Sequence, residues 1–163
     1  MSLNTPKTEL LYQKSKPVDH LSLFDGISLM IQEQKNAALE VEKASKSIES
    51  AVDAIHKYLR LNPKGRLIYV GAGTSARIGV QDGVELFPTF NWPNERLGFI
   101  IAGGNQALLK AVENAEDNVS SAENIVVEKL VCKEDVVIGL AASGNTPFTC
   151  KVLEKAKCNK ALT

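Results

Sequence analysis

The sequence predicts an α/β fold: a doubly wound parallel sheet, partial at about three strands, preceded by N-terminal helices. Three observations carry this. Short apolar runs suited to buried strands occur at Arg66–Val70, Leu97–Ala102 and Asp135–Ala141. Helical patterns alternate with them, and that alternation implies a parallel sheet. Two of the three runs end in small, hydroxyl-bearing turns that open a helix.

In chain order, residues 1–20 carry Pro6 and Pro17 and read as an extended arm. Asp19–Phe24 can cap a helix running through Leu29 and Ile31 to about Lys35. From Ala37 to Leu59, apolar residues recur every three or four positions (Val41, Ala44, Ile48, Val52, Ile55, Leu59), one face of an amphipathic helix. Asn62-Pro63-Lys64-Gly65 stops it. After the first strand a helix is expected from Ser75 to about Phe87. After the second, helices are expected over Gln106–Ala115 and Val119–Val131, and after the third, one to about Lys157. The chain stops at Lys160-Ala-Leu-Thr163, where a fourth strand should begin. The expected organisation is therefore an arm with helices over 1–64 and the first part of an α/β domain over 65–163, truncated at its C-terminus.

Composition narrows the function. Lys+Arg and Asp+Glu each number 19, so the formal net charge is zero and nothing favours nucleic acid or an anionic membrane as partner. Cys132, Cys150 and Cys158 form no C-x-x-C pair, and His20 and His56 lie far from them, so no metal site is expected. The polar N-terminus lacks the apolar core of a signal peptide, and no run reaches the length of a membrane span, so a cytoplasmic protein is expected.

Two loops carry the candidate chemistry. Gly71-Ala-Gly-Thr-Ser-Ala-Arg-Ile-Gly79 follows the first strand. Its small residues let backbone N–H groups approach a ligand, and the helix it opens presents unpaired donors at the positive end of its dipole. Thr74 and Ser75 add hydroxyls, which suits a phosphate. The same stretch satisfies a relaxed dinucleotide fingerprint, although strand two ends Ile101-Ala-Gly-Gly104 without the acidic residue that would hold a ribose. A tight turn with no ligand is the third reading. The second loop, Ala142-Ser-Gly-Asn-Thr-Pro147, has the same design, and Ser143 or Thr146 taken alone is a helix N-cap. Together the two loops point to a small phosphorylated ligand that also presents hydroxyls.

Carboxylates lie nearby in sequence. Asp82 and Glu85 are three residues apart on the helix after the first loop, and Glu113 and Glu116 share that spacing on the helix expected after strand two, with Asp117 beside them. Elimination next to a carbonyl needs a base for the carbon-bound proton and an acid for the leaving oxygen. A solvated helix face is the alternative for each.

The stretches Gly65–Ser75, Pro88–Phe90, Ile101–Gly104, Lys110–Asp117 and Ala141–Pro147 closely resemble, in order and spacing, the N-acetylmuramic acid 6-phosphate etherase family, built on the phosphosugar-binding SIS domain. The resemblance runs from about Ala37 to the C-terminus. It implies cleavage of a D-lactyl ether to N-acetylglucosamine 6-phosphate and D-lactate, in cell-wall sugar recycling, by elimination and water addition. No metal or organic cofactor is implied, and a homodimer is. By motif, Glu85 resembles the acid and Glu116 the base. Thr74, Ser75, Glu113, Ser143, Asn145 and Thr146 would bind the phosphorylated amino sugar, and Gly71, Gly73 and Gly144 would admit the backbone. A relative sharing the architecture, the glucokinase regulatory protein, binds fructose phosphates without catalysis. The chain departs from the family's pattern at Ala76 (usually Gly), Asn145 (usually Arg), Leu86-Phe-Pro88 (usually Cys-Pro-Pro) and Leu10-Leu-Tyr-Gln13 (usually Arg-Arg-Asn-Pro), and it lacks the rest of the sheet and the helical C-terminal part.

Overall fold

The structure is a computed structural model that describes residues 16–163. Most of the expected arm, with Leu10–Gln13, lies outside the described residues. Two compact units divide the chain, one ending at Ala54 and the other running from Ile55 to Thr163. The division expected at 64/65 follows the turn after the second helix. The two compact units part inside that helix, whose last turns fall in the second unit.

In the first unit, α1 (Leu23–Lys43) starts at Ser22, whose Oγ accepts the Asp25 amide at 3.2 Å and donates to the Asp25 carboxylate at 2.6 Å, a capping arrangement closed within one turn. The break expected near residue 36 does not occur. Asn36 is satisfied inside the helix, accepting from Gln32 and donating to Glu33, so its amide no longer competes with the backbone. The helix instead ends at Ala44, and α2 (Ser45–Leu61) begins at the next residue. Val41, Ile48 and Val52 on the apolar face stay exposed.

In the second unit, α2 ends where Arg96 donates to the carbonyls of Leu59, Asn62 and Gly65, while its guanidinium lies 4.5 Å from the centre of the Trp92 ring. Strands β1 (Leu67–Gly71), β2 (Leu97–Ile101) and β3 (Val136–Leu140) form a parallel sheet ordered β2-β1-β3. Leu162 adds a parallel bridge to Val136, at the position where a fourth strand is expected to begin.

The sheet's alternation fixes its two faces. On one, Ile68, Val70, Ile100, Ala102 and Val137 pack with Ala122 and Val126 of α5 (Val119–Glu128) and Phe148, Val152 and Ala156 of α6 (Pro147–Cys158). On the other, α3 (Gly73–Val84) lies close over Tyr69, Phe99 and Leu140 because Gly79 and Gly83 present no side chain there. A Cβ on Gly79 would stand 2.3 Å from Leu140 Cδ1. The helix expected to run to Phe87 breaks at Glu85, and a short α4 (Leu86–Phe90) follows.

No helix forms over 106–115. Two 3-10 turns, Asn105–Leu108 and Ala115–Asp117, flank an irregular stretch, with Asn114 left-handed at φ 58°. The cause is tertiary. Arg77 takes the carbonyls of Ala107 and Lys110, which a helix would need as acceptors for its own amides.

Candidate functional site

The helices after β1 and β3 leave neighbouring strands toward opposite faces of the sheet. Their loops therefore flank a topological switch point, the crevice where open α/β sheets bind ligands. The first loop is shaped by its glycines. Gly71 passes under the start of α3, where a Cβ would lie 3.0 Å from the Leu140 carbonyl oxygen and 3.1 Å from the Ala76 amide. Gly73 opens α3 with φ 52°, a left-handed geometry that costs other residues roughly 1–2 kcal/mol, and its missing side chain faces open space. Ala72 in the N-cap position supplies no side-chain bond, so the first amides of α3 keep their donors for a ligand.

Beside this turn is a cavity of about 240 Å³. Gly73 and Thr74 line it from the first turn of α3, Arg77 from the next turn, Lys110 and Glu113 from the irregular stretch, and Glu116 from the 3-10 turn that follows it. Ser75 is half-buried on the same turn. Ala76 is buried and absent from the lining, so its methyl does not narrow the cavity.

The two glutamates do not owe their convergence to helical spacing, since no helix joins them. A folded-back loop brings them together. Asp82 is engaged elsewhere, accepting the Tyr69 hydroxyl at 2.8 Å, and burial followed by this bond pushes the Tyr69 phenol well above its ordinary range. Glu85 is exposed at the C-terminal end of α3, outside the cavity, about 18 Å along the helix from Gly73 at 1.5 Å per residue.

The second loop leaves β3, next to β1, and does not line the cavity. Ser143 Oγ accepts the Asn145 amide at 3.2 Å, Gly144 is left-handed at φ 70°, and Pro147 is the first residue of α6. Thr146 occupies the N-cap position without a side-chain cap bond, so neither hydroxyl caps α6. The first turn of α6 also holds Thr149, whose Oγ1 is buried without a hydrogen-bond partner among the described residues.

Sequence reasoning passed over Arg77 and Lys110. Arg77 had a usable signal: it is three residues after Thr74 on a helix, and so on the face that borders the loop. Among the described residues no helix is long and apolar enough to cross a membrane.

Residues 47–157 match a family model described as the glucokinase regulatory protein N-terminal SIS domain. Among curated proteins, the N-acetylmuramic acid 6-phosphate etherase of Pasteurella multocida is 44% identical over 142 residues, which is 87% of this chain and 46% of that protein. That of Psychromonas ingrahamii is 40% identical over 159 residues, 95% of this chain and 52% of that protein. Etherase 1 of Enterococcus faecalis is 39% identical over 163 residues, 100% of this chain and 54% of that protein. The chain spans about half the length of the curated relatives it matches.

Proposed function

This chain belongs to the glucokinase regulatory protein N-terminal SIS domain family, and we propose that it provides the phosphosugar site of a carbon–oxygen lyase acting on N-acetylmuramic acid 6-phosphate. One observation carries the reading: Glu113 and Glu116 share a cavity with the donor-rich first turn of α3. The family relation and the etherase names of the relatives support it.

The first turn of α3, with Gly71 beneath it, Gly73, Thr74 and Ser75, holds the 6-phosphate by backbone N–H groups and hydroxyls. Ser143, Gly144, Asn145 and Thr146 meet the sugar from β3, and Glu113 binds a hydroxyl. In the open-chain sugar the C1 carbonyl makes the C2 proton acidic. Glu116 takes that proton, the electron pair becomes the C2=C3 double bond, and the C3–O bond breaks. Glu85 gives its proton to the departing lactate oxygen. Water then adds across the double bond, hydroxyl to C3 and proton to C2, yielding N-acetylglucosamine 6-phosphate and D-lactate. Each proton transfer contributes on the order of 10²–10⁴-fold, and the scheme needs no metal or organic cofactor.

Because Glu85 stands at the far end of α3, we assign it to the cavity of a second copy, so that the working unit is a homodimer. The exposed apolar residues Val41, Ile48 and Val52 are consistent with such association. The test is D-lactate release from N-acetylmuramic acid 6-phosphate. A second reading, a non-catalytic phosphosugar-binding regulator, is favoured by the distance of Glu85 from the cavity. It predicts binding of sugar 6-phosphates with no lactate release.

A further inference from the structure

The segment between β2 and α5 carries both cavity glutamates yet has little structure of its own. Its 3-10 turns close with the Ala107, Leu109 and Lys110 amides at one end and those of Asp117 and Asn118 at the other, and among the described residues no turn or loop bond between backbone groups uses an amide from residues 111–116. Such a stretch holds a shape only through tertiary anchors. Three exist. Val112 sits on Gly103, whose φ is 81° and where a Cβ would meet Val112 at 3.0 Å. Ala115 packs on the core cluster. The third is polar: Arg77 Nε donates to the Ala107 carbonyl at 3.1 Å and Arg77 Nη2 to the Lys110 carbonyl at 3.3 Å.

We infer that Arg77 is a positioning residue: its guanidinium pins residues 107–110 to α3 and thereby holds Glu113 and Glu116 at the cavity wall. The geometry favours a fork over a point charge. The two carbonyls are three residues apart, and one planar guanidinium reaches both through separate nitrogens, which an ammonium on a flexible stem does not reproduce. Arg77 links the loop's two functions, since the helix turn that presents amides to an anion also fixes the strand of chain bearing the carboxylates. The consequence for turnover rests on the lyase reading, whereas the consequence for the segment's order does not.

The experiment compares Arg77→Met and Arg77→Lys with the unaltered chain. Amide hydrogen exchange at Ala107, Leu109 and Lys110, whose bonds close the first turn of this segment, should quicken about tenfold or more in both, with β1, β2 and β3 unchanged. With N-acetylmuramic acid 6-phosphate, kcat should fall about 10–100-fold while KM moves less than about threefold, because misplaced carboxylates impair the chemical step. Unaltered exchange in that segment overturns the inference. So does a raised KM with kcat intact, which would make Arg77 a ligand-gripping cation, or full restoration of both readouts by lysine. If the unaltered chain neither binds nor cleaves the sugar phosphate, the lyase reading fails, and the exchange comparison still decides the role of Arg77.

Discussion

Arg66 and Asp135 form a bidentate ion pair across the entrances of β1 and β3, with Nε to Oδ1 at 3.0 Å and Nη2 to Oδ2 at 2.6 Å. Asp135 is 1% exposed and also accepts the amides of Arg66 and Cys132, so its charge is compensated on every side. The same guanidinium reaches the carbonyls of Lys129 and Leu130 at the end of α5. One pair thus ties β1 and β3 to the end of α5, the helix that connects β2 to β3.

Asp135→Ala should destabilise the second unit by about 3–5 kcal/mol, since it strands a guanidinium and two amides that lose their acceptor. Urea unfolding would measure this, and a loss below about 1 kcal/mol would rank the pair with ordinary surface bridges.

The same carboxyl sets a pH dependence. Burial opposes its ionisation, but hydrogen bonds from Arg66 and from the Cys132 and Arg66 amides outweigh burial and hold it below the ordinary aspartate value. Its stabilisation is complete above the unfolded value of about 3.9 and is lost as pH falls through the lower folded value. Acid unfolding of the unaltered chain should steepen below about pH 4, and Asp135→Asn should flatten that limb.

Two glycines should respond differently to alanine. A Cβ at Gly65 would lie 2.0 Å from the Glu134 carbonyl oxygen, so Gly65→Ala forces the turn away from β3 and should lower the thermal midpoint severely. Gly73→Ala meets nothing within 4 Å and should cost only about 1–2 kcal/mol of left-handed strain, while weakening phosphate binding. Equal stability losses would contradict the geometry.

Glu116→Gln should abolish exchange of the C2 proton with deuterated solvent, and Glu85→Gln should stop lactate release while sparing some exchange. If the acid comes from a second copy, mixing the two inactive variants should restore roughly a quarter of the activity, as one of two sites in each mixed dimer is intact. No recovery on mixing would put both glutamates in one chain's site.

Thr149→Val replaces a buried hydroxyl that has no partner among the described residues with a methyl of the same shape. The change should be neutral or stabilising by up to about 1 kcal/mol in thermal unfolding. A loss of more than that would mean the hydroxyl is satisfied in solution.

The strands and both glycine loops were legible because buried parallel strands need unbroken apolar runs and because a tight turn into a helix, with left-handed φ at Gly73 and Gly144, favours small residues. Pro147 marked the start of α6 for a similarly local reason. The expected stop at about Lys35 does not form, since Asn36 is held inside the helix by its neighbours Gln32 and Glu33. The stretch from Gln106 to Ala115 misled for a distant reason, as Arg77, some thirty residues earlier in the chain, takes its carbonyls.

By itself, then, the sequence determined what each segment could be: its period, its caps, and the small residues that permit close approach, all of which act within a few positions along the chain. Tertiary structure alone decided which carboxylates share a cavity. Glu113 and Glu116 line the cavity beside the α3 turn on an irregular segment that Arg77 and the half-buried Val112 contact, whereas Glu85, on that same helix, is carried to its far end. A straight helix separates its ends by a fixed rise per residue, while a loop takes its path from whatever binds it.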